Sequence, residues 1–272
     1  MGIQIVNAKG YSDIKYLQVE SYTDAGKVRP HNEDSHRYFI PDSEEEKDRR
    51  GSLFVVSDGV GGSNAGEVAS AEAVNVLLLE YYFGEYPEQV PERLKNAVQH
   101  TAMHIYDLSS TYTSMQNMKC TLSALLINSD KFYIAHVGDS KIFLLRAGKM
   151  TQLTKDHSLV SKLSRLGLLS DEEAMKHPGK HILLKALGDR PIIPADFYSG
   201  RIMPGDVFCL VTDGILEHTT VDELNSLLIG NTSSDMLSEE TSGNRLQQIV
   251  ELLNERGGYD NMTIMTVKVN TI

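Results

Sequence analysis

Residues 121–148, TLSALLINSDKFYIAHVGDSKIFLLRAG, constrain the fold of this chain more than any other stretch. They form short runs of β-branched, aromatic and leucine residues. Turn-forming residues separate the runs at 128–131 and 138–139, and another turn follows at 147–149. Short apolar runs joined by such turns predict consecutive antiparallel strands.

The remaining segments predict an α+β arrangement. Similar short runs predict further strands at residues 15–23, 35–41, 52–59, 206–214 and 261–270. Apolar residues at steps of three and four predict amphipathic helices at residues 65–83, 92–109 and 244–254. Two long helices follow one strand and a third precedes the last, so the helices do not alternate strictly with strands, and we predict antiparallel sheets. The polar stretches 44–50 and 230–244 are predicted to be exposed loops.

Composition narrows the class of protein. A chain of 272 residues with 41% hydrophobic residues can bury a sizeable core without disulfides. The formal net charge of −11 argues against general nucleic-acid or anionic-membrane binding. Cys120 and Cys209 lie in apolar runs, where buried reduced thiols are expected. No signal-peptide pattern and no run approaching ~20 apolar residues is found, so we expect a cytoplasmic protein.

The stretch LFVVSDGVGGSNAGE, residues 53–67, resembles a nucleotide-binding loop at first sight. A dinucleotide fingerprint would need a third glycine where Asn64 stands. A phosphate-binding loop would need lysine where Glu67 stands, and a glutamate there would repel a triphosphate. Nucleotide binding therefore stays a disfavoured alternative.

Acidic residues at the ends of predicted strands indicate a different site. Asp58, Asp139, Asp213 and Asp260 each lie beside a turn-forming residue, and Glu33-Asp34 opens another strand. Together they suggest a convergent site of oxygen ligands, which selects hard cations such as Mn²⁺ or Mg²⁺. Two such ions can share a carboxylate, lower the pKa of a bridging water and generate hydroxide for attack on phosphorus. Arg29 is the candidate to hold the phosphoryl oxygens.

An ordered series of motifs carries a family resemblance. In chain order they are DAGKVRPHNED, VVSDGVGG, AHVGDSKIFLL, LTKDHSL, LLKALGDRPIIPAD, LVTDGILE and YDNMTIMTV. The series, from about Glu20 to Val269, resembles the metal-dependent protein phosphatase family, protein phosphatase 2C, and most of all its bacterial serine/threonine phosphatases. The resemblance implies one catalytic domain over residues 1–272. Its expected fold is a four-layer α-β-β-α sandwich with two central antiparallel sheets flanked by helices.

The resemblance also implies roles for individual residues. Asp58 would bridge two metal ions, and Asp213 would ligate one of them. The other implied metal-site residues are Gly59 through its carbonyl, Asp260, Glu33 and Asp34 through bound waters, and Asp139 at a third, weaker site. Arg29 would bind the substrate phosphate. Residues 155–196 match the family's variable flap, which is thought to influence substrate choice.

The implied activity is hydrolysis of phosphoserine and phosphothreonine in proteins by metal-bound hydroxide at a centre of two Mn²⁺ or Mg²⁺ ions. The expected partners are phosphoproteins, including a serine/threonine kinase, with no nucleic acid and no membrane. We expect a monomer. A catalytically inert regulatory domain of the same fold is the alternative, although such a domain would usually have lost at least one metal aspartate.

The chain departs from the family pattern at three positions. Val60 and Ser63 stand where family members carry a histidine proposed as general acid, so a metal-bound water or another group would protonate the leaving alkoxide. Lys185 stands where arginine is common, which would soften a bidentate contact. Among the histidines within motifs, His136 is predicted to be packed and hydrogen-bonded and His157 to fix the start of the flap; His31 is left open between an exposed turn and the site edge.

Overall fold

The computed structural model describes residues 12–13, 16–60, 65–86, 89–229 and 245–270. The strands are β1 (Ser12–Asp13), β2 (Leu17–Asp24), β3 (Asp34–Phe39), β4 (Ser52–Val60), β5 (Lys119–Cys120), β6 (Leu122–Asn128), β7 (Lys131–Val137), β8 (Lys141–Arg146), β9 (Lys149–Gln152), β10 (Asp196–Arg201), β11 (Val207–Val211) and β12 (Met262–Val269). The helices are α1 (Glu44–Arg50), α2 (Ala65–Phe83), α3 (Val90–Thr111), α4 (Leu159–Arg165), α5 (Asp171–Lys176), α6 (Asp213–Glu217), α7 (Val221–Ile229) and α8 (Arg245–Glu255), with a 3₁₀ turn at Thr113–Met115.

The strands form two antiparallel sheets. One has the order β1-β2-β12-β11-β8-β9 and the other β10-β7-β6-β4-β3, with β5 paired to β4. Successive side chains of a strand point to opposite faces of its sheet. Apolar residues occur on both faces here, so both faces of each sheet must be covered. The inner faces pack on each other through a core that includes Phe54, Phe132 and Phe208. The outer faces are covered by α2 with α3 and by α7 with α8. The predicted α+β, four-layer α-β-β-α sandwich is confirmed.

The central stretch folds into hairpins, with one correction. β6 pairs with β7 and β8 with β9, and the predicted turns hold Ser129 and Ala147 at positive φ of 52° and 51°. The prediction that β7 and β8 are neighbours is wrong, because they lie in different sheets. The turn at Gly138 and Asp139 crosses from one sheet to the other.

The long helices were predicted within one or two residues wherever the structure describes their ends, and α1 was missed. Residues 44–50 were predicted to be a loop, yet they form a helix. The hydroxyl of Ser43 accepts a hydrogen bond from the amide of Glu46, at 3.2 Å, and caps the helix. Acidic residues fill its first turn and basic residues its last, which suits the helix dipole. None of its side chains is buried, so no apolar periodicity marks it.

The predicted flap lies between β9 and β10 and carries α4 and α5. Ser170 and Glu173 form a capping box at the start of α5, with each side chain accepting a hydrogen bond from the other's backbone amide. The loop predicted at 230–244 lies outside the described residues. In the parts of the chain that are described, no helix combines the length and apolar character that crossing a membrane requires. Cys120 and Cys209 are buried free thiols, as predicted.

Candidate metal centre

The acidic residues singled out in the sequence converge at one end of the sandwich. Asp34 opens β3 and is the antiparallel partner of Asp58, near the end of β4. Asp213 follows β11 in the other sheet, and its carboxyl group is close enough to that of Asp58 for the two to interact electrostatically. Asp139 lies on the turn that crosses between the sheets, and Asp260 precedes β12. Both sheets thus contribute carboxylates to the same place.

Among these carboxylates, Asp34 has the environment that most favours a bound cation. Its Oδ2 accepts hydrogen bonds from the hydroxyls of Thr212, at 2.8 Å, and Thr263, at 2.7 Å. Its Oδ1 is buried and has no hydrogen-bond partner among the described residues. Burial and then the nearby carboxylates of Asp213 and Asp260 raise its pKa to about 7, despite the two hydroxyl donors. A cation would satisfy the open oxygen and its charge.

The pKa values of the neighbouring carboxyl groups are also raised. Burial and the charges of Asp34, Asp213 and Asp139 raise the pKa of Asp58 well above its ordinary value. Burial also raises the pKa of Asp213, with Asp260 as the largest repulsive charge. Burial and Asp213 raise the pKa of Asp139 to about 7. Mutually raised pKa values mean that these carboxylates repel one another in the metal-free protein.

The donor set fits a hard cation better than zinc. Within the described residues, no three histidine, cysteine, aspartate or glutamate side chains converge closely enough to enclose a cation by themselves. Mg²⁺ is usually held by one or two carboxylates and keeps several waters, whereas structural zinc takes four protein ligands. The candidate ligands offer only oxygen atoms, and this donor type fits Mn²⁺ or Mg²⁺ better than zinc.

Gly59 packs too tightly for any side chain. A methyl group there would lie 2.3 Å from the carbonyl oxygen of Gly66 and 2.7 Å from that of Glu33. The amide of Gly59 donates to the same Glu33 carbonyl, at 3.1 Å. This contact brings the end of β4, the start of α2 and Glu33 together. The ligand role of the Gly59 carbonyl stays a prediction.

Arg29 lies at the edge of the centre, where its guanidinium forms a salt bridge to Asp260 with Nη2 and Oδ2 2.7 Å apart. Its side chain is 48% exposed and can therefore reach incoming substrate. The two residues were predicted to bind different groups, phosphate and metal, and here they neutralise each other. A cation beside Asp260 would compete with Arg29 for that carboxylate.

Several residues that position the centre were not singled out in the sequence. Besides Thr212 and Thr263, the hydroxyl of Thr121 accepts from the amide of Asp58 at 2.9 Å. The side-chain oxygen of Asn261 accepts from the amide of Glu33 at 2.8 Å. Lys141 Nζ donates to the backbone carbonyl of Asp139 at 2.9 Å. All except Thr121 lie inside the quoted motifs, and their place beside the acidic residues was the signal available in the sequence.

The histidines lie to one side of the carboxylates. His136 is buried between Ser123 Oγ, at 2.9 Å, and the carbonyl of Lys155, at 3.1 Å, and burial lowers its pKa to about 3. It is packed and hydrogen-bonded, as predicted. His157 exchanges hydrogen bonds with Gly138: its Nδ1 accepts from the amide at 3.1 Å and its own amide donates to the carbonyl at 2.8 Å.

Lys185 lies at the base of the flap. Its Nζ lies 3.2 Å from His157 Nε2 and 3.1 Å from Asp196 Oδ1. Its contacts therefore join flap residues to one another. His31 is exposed, Val60 ends β4, and Ser63 falls outside the described residues.

Comparison with known proteins agrees with this geometry. The family profile described as Protein phosphatase 2C matches residues 31–261. A serine/threonine phosphatase, stp, of Listeria innocua is 33% identical over 257 residues, covering 93% of this chain and 96% of that protein.

Solved structures of such enzymes share the fold. The serine/threonine phosphatase Stp1 from Staphylococcus aureus superposes with a TM-score of 0.81 at 26% identity, over 94% of this chain and 96% of that one. The catalytic domain of the serine/threonine protein phosphatase PstP, solved with two manganese ions, gives 0.76 at 27% identity, over 94% and 99%. The chain belongs to the protein phosphatase 2C family.

Proposed function

We propose that this chain is a Mn²⁺- or Mg²⁺-dependent phosphatase that removes phosphate from phosphoserine and phosphothreonine in proteins. One observation carries the proposal: carboxylates from both sheets converge with raised pKa values, and one buried oxygen of Asp34 has no partner among the described residues. The names of the relatives support the reaction class, and the manganese ions of PstP support the choice of metal.

Each residue has a defined task in this proposal. Asp58 and Asp213 hold the cations and face each other across the sheets. Asp260 and Asp139 extend the site on either side, and Glu33 and Asp34 orient bound water. When bound, the cations act as Lewis acids and lower the pKa of a water molecule, which supplies the nucleophile.

Arg29 binds the phosphoryl oxygens of the substrate through its planar guanidinium. No imidazole is present at Val60 to protonate the leaving serine or threonine oxygen. The exposed His31 stands nearest in sequence to the predicted ligands Glu33 and Asp34. In this proposal, solvent at the open site supplies that proton.

Turnover of p-nitrophenyl phosphate and of a phosphothreonine peptide, with Mn²⁺ and with EDTA, tests the proposal. We expect activity only with the metal, and a loss of at least ~100-fold in Asp58→Asn and Asp213→Asn. Asp130→Asn, at the β6–β7 turn, is the matched control and should retain activity. Activity that survives EDTA or both active-site substitutions would refute the proposal.

The alternative is an inert regulatory domain of the same fold. Calorimetric titration with Mn²⁺ distinguishes it, because an inert scaffold should bind no stoichiometric metal.

We further propose that residues 1–272 form one catalytic domain and that it acts as a cytoplasmic monomer. We include a serine/threonine kinase among its substrates, since the matched relatives are bacterial protein phosphatases. Sedimentation tests the monomeric state, and a phosphoproteome after gene deletion tests whether a kinase is among the substrates.

A further inference from the structure

Helix α2 has an unusual outer face. Its inner face packs on the core through Ala69, Ala73, Leu77 and Tyr81. A less buried stripe runs at steps of three and four residues through Val68, Glu72, Val76, Leu79 and Phe83, of which Val68 also packs partly on the core. Leu79 is 50% exposed and Phe83 is 62% exposed.

A surface helix normally carries polar residues on its solvent side, and neighbouring helix α3 follows this rule with exposed Glu92, Lys95 and Asp107. The less buried stripe of α2 is apolar at four of its five positions. Such a face on an otherwise ordinary helix marks a surface that another polypeptide covers.

This stripe lines a groove beside β3. Arg37, Tyr38 and Phe39 form the opposite wall, and the groove has a volume of about 360 Å³. A second groove of about 490 Å³ continues from it and is lined by His31, Glu67 and the first turns of α2. Glu72 lines both, so the two adjoin along the same helix, and we call them together the α2 groove.

The α2 groove begins close to Glu33, one of the predicted metal-site residues, because His31 and Glu67 line the groove and interact electrostatically with Glu33. A methyl group on Gly66, in the first turn of α2, would lie 3.0 Å from a carboxylate oxygen of Glu33. The hydroxyl of Ser70 donates to the carbonyl of Glu33 at 2.5 Å. From this point α2 and β3 both run away from the centre, and the groove between them leads outward.

The length of the groove suits an extended peptide. Gly66 and Leu79 are separated by about 20 Å along the helix axis, and Gly66 and Phe83 by about 25 Å, at ~1.5 Å per residue. An extended chain covers these distances in roughly six to eight residues, at ~3.3 Å each.

The charge of the groove is acidic near the centre. Glu67 is exposed there, and Glu72 pairs with His104 on α3, with Oε2 and Nε2 2.9 Å apart. A basic side chain close to the phosphorylated residue would complement these carboxylates.

We propose that the α2 groove binds the extended segment that flanks the phosphorylated residue of a protein substrate. A basic residue of that segment lies beside Glu67 and Glu72, and a large apolar residue, six to eight positions from the phosphorylated one, packs on Leu79 and Phe83. The inference rests on the proposed phosphatase function and assigns its specificity to residues outside the flap.

Steady-state kinetics with three substrates tests this. The first is p-nitrophenyl phosphate, and the second is a phosphothreonine peptide with three flanking residues on each side. The third is a pair of longer peptides, one extended on the N-terminal side and one on the C-terminal side, each by a lysine and a distant leucine or phenylalanine. We expect one of the two extended peptides to have the highest kcat/KM. The double change Leu79→Ser and Phe83→Ser should reduce that value roughly tenfold to a hundredfold, mainly through KM, because it removes two apolar contacts.

The short peptide and the aryl phosphate should be unaffected by the double change. Met103→Ser, which is 41% exposed on α3, is the matched control and should leave all three substrates unchanged. Glu67→Gln is an independent variant: it should weaken the lysine-containing peptide and leave a glutamine-containing peptide unchanged.

Equal kcat/KM for short and extended peptides in the unmodified protein would overturn the proposal. So would an equal loss on the aryl phosphate in the double variant. A change in sedimentation without any change in peptide kinetics would assign the groove to self-association instead. Absence of Mn²⁺-dependent aryl phosphate turnover in the unmodified protein would instead remove the phosphatase function itself, and this inference with it.

Discussion

Asp34→Asn should stabilise the metal-free protein while impairing its response to metal. The Asp34 side chain is buried, and its pKa rises from 3.8 to about 7 in the folded chain. Each unit of pKa difference corresponds to about 1.4 kcal/mol, so the ionised carboxylate costs up to about 4 kcal/mol above pH 7. Asparagine keeps the shape and removes the charge.

The gain is smaller than this cost, because the amide introduces a new donor. The amide oxygen can still accept from Thr212 and Thr263, but the amide nitrogen replaces Oδ1, which has no hydrogen-bond partner among the described residues. An unsatisfied buried donor costs about 1–3 kcal/mol. The net stabilisation at pH 8 is therefore about 1–3 kcal/mol, or roughly 2–10 °C in Tm for a chain of this size.

The direction of the pKa shift of Asp34 determines how the stability of the protein changes with pH. Because the folded pKa of Asp34 is raised, the folded state binds more protons than the unfolded state between pH ~4 and ~7. The unmodified protein in EDTA therefore loses stability as the pH rises through this window. The advantage of Asp34→Asn should be small at pH 5 and full at pH 8.

Asp206→Asn is the matched control, since Asp206 is also buried but forms two 2.7 Å contacts with the guanidinium of Arg146. Neutralising it leaves Arg146 without its carboxylate partner and should lower stability by about 1–3 kcal/mol. Thermal melts in EDTA at pH 5 and pH 8 measure both variants. Equal pH dependence in Asp34→Asn and the unmodified protein would refute the reasoning, and so would a less stable variant at pH 8.

Three further substitutions have defined outcomes. Arg29→Ala should lower kcat/KM for phosphopeptides roughly 10- to 100-fold with Tm nearly unchanged, since it removes a charged phosphate contact at an exposed position, and unchanged kinetics would contradict that role. His157→Ala should lower stability by about 1–3 kcal/mol in urea titrations, because the buried amide of Gly138 loses its acceptor; a melt like that of the unmodified protein would contradict this. Gly138→Ala should fold poorly on purification, because φ is +108° and its methyl group would lie 2.5 Å from Thr121 Cγ2; a soluble, equally stable variant would count against this packing.

Local periodicity was enough to predict the main elements of the fold. The helix at 65–83 was predicted with the bounds that the structure gives, because its apolar residues recur at steps of three and four. Helix α1 was missed because its stability comes from a cap and charges and not from an apolar face. The crossing at Gly138 was also missed, since a tight turn in sequence does not reveal whether the next strand stays in the same sheet.

The residues of the candidate site, too, could be predicted from the sequence only in part. The acidic positions were readable because each follows or precedes an apolar run, and the structure places their side chains together. Their ligand roles stay predictions. The hydroxyl partners of Asp34 were not readable, because Thr212 and Thr263 lie 178 and 229 residues away along the chain. Only the pairing of distant strands brings them to Asp34.

The position of β12 has a consequence for how the protein is made. β12 lies between β2 and β11 in its sheet, although it comes last in sequence among the described strands. During synthesis, at ~5–20 residues per second, β2 and β11 cannot gain their shared neighbour until residues 262–269 have emerged. Pairing between such distant segments also carries a large loop-closure cost and slows folding. Asp260, a predicted metal-site residue, lies two positions before this strand, so the late pairing of β12 with β2 and β11 also sets when that side chain reaches its place.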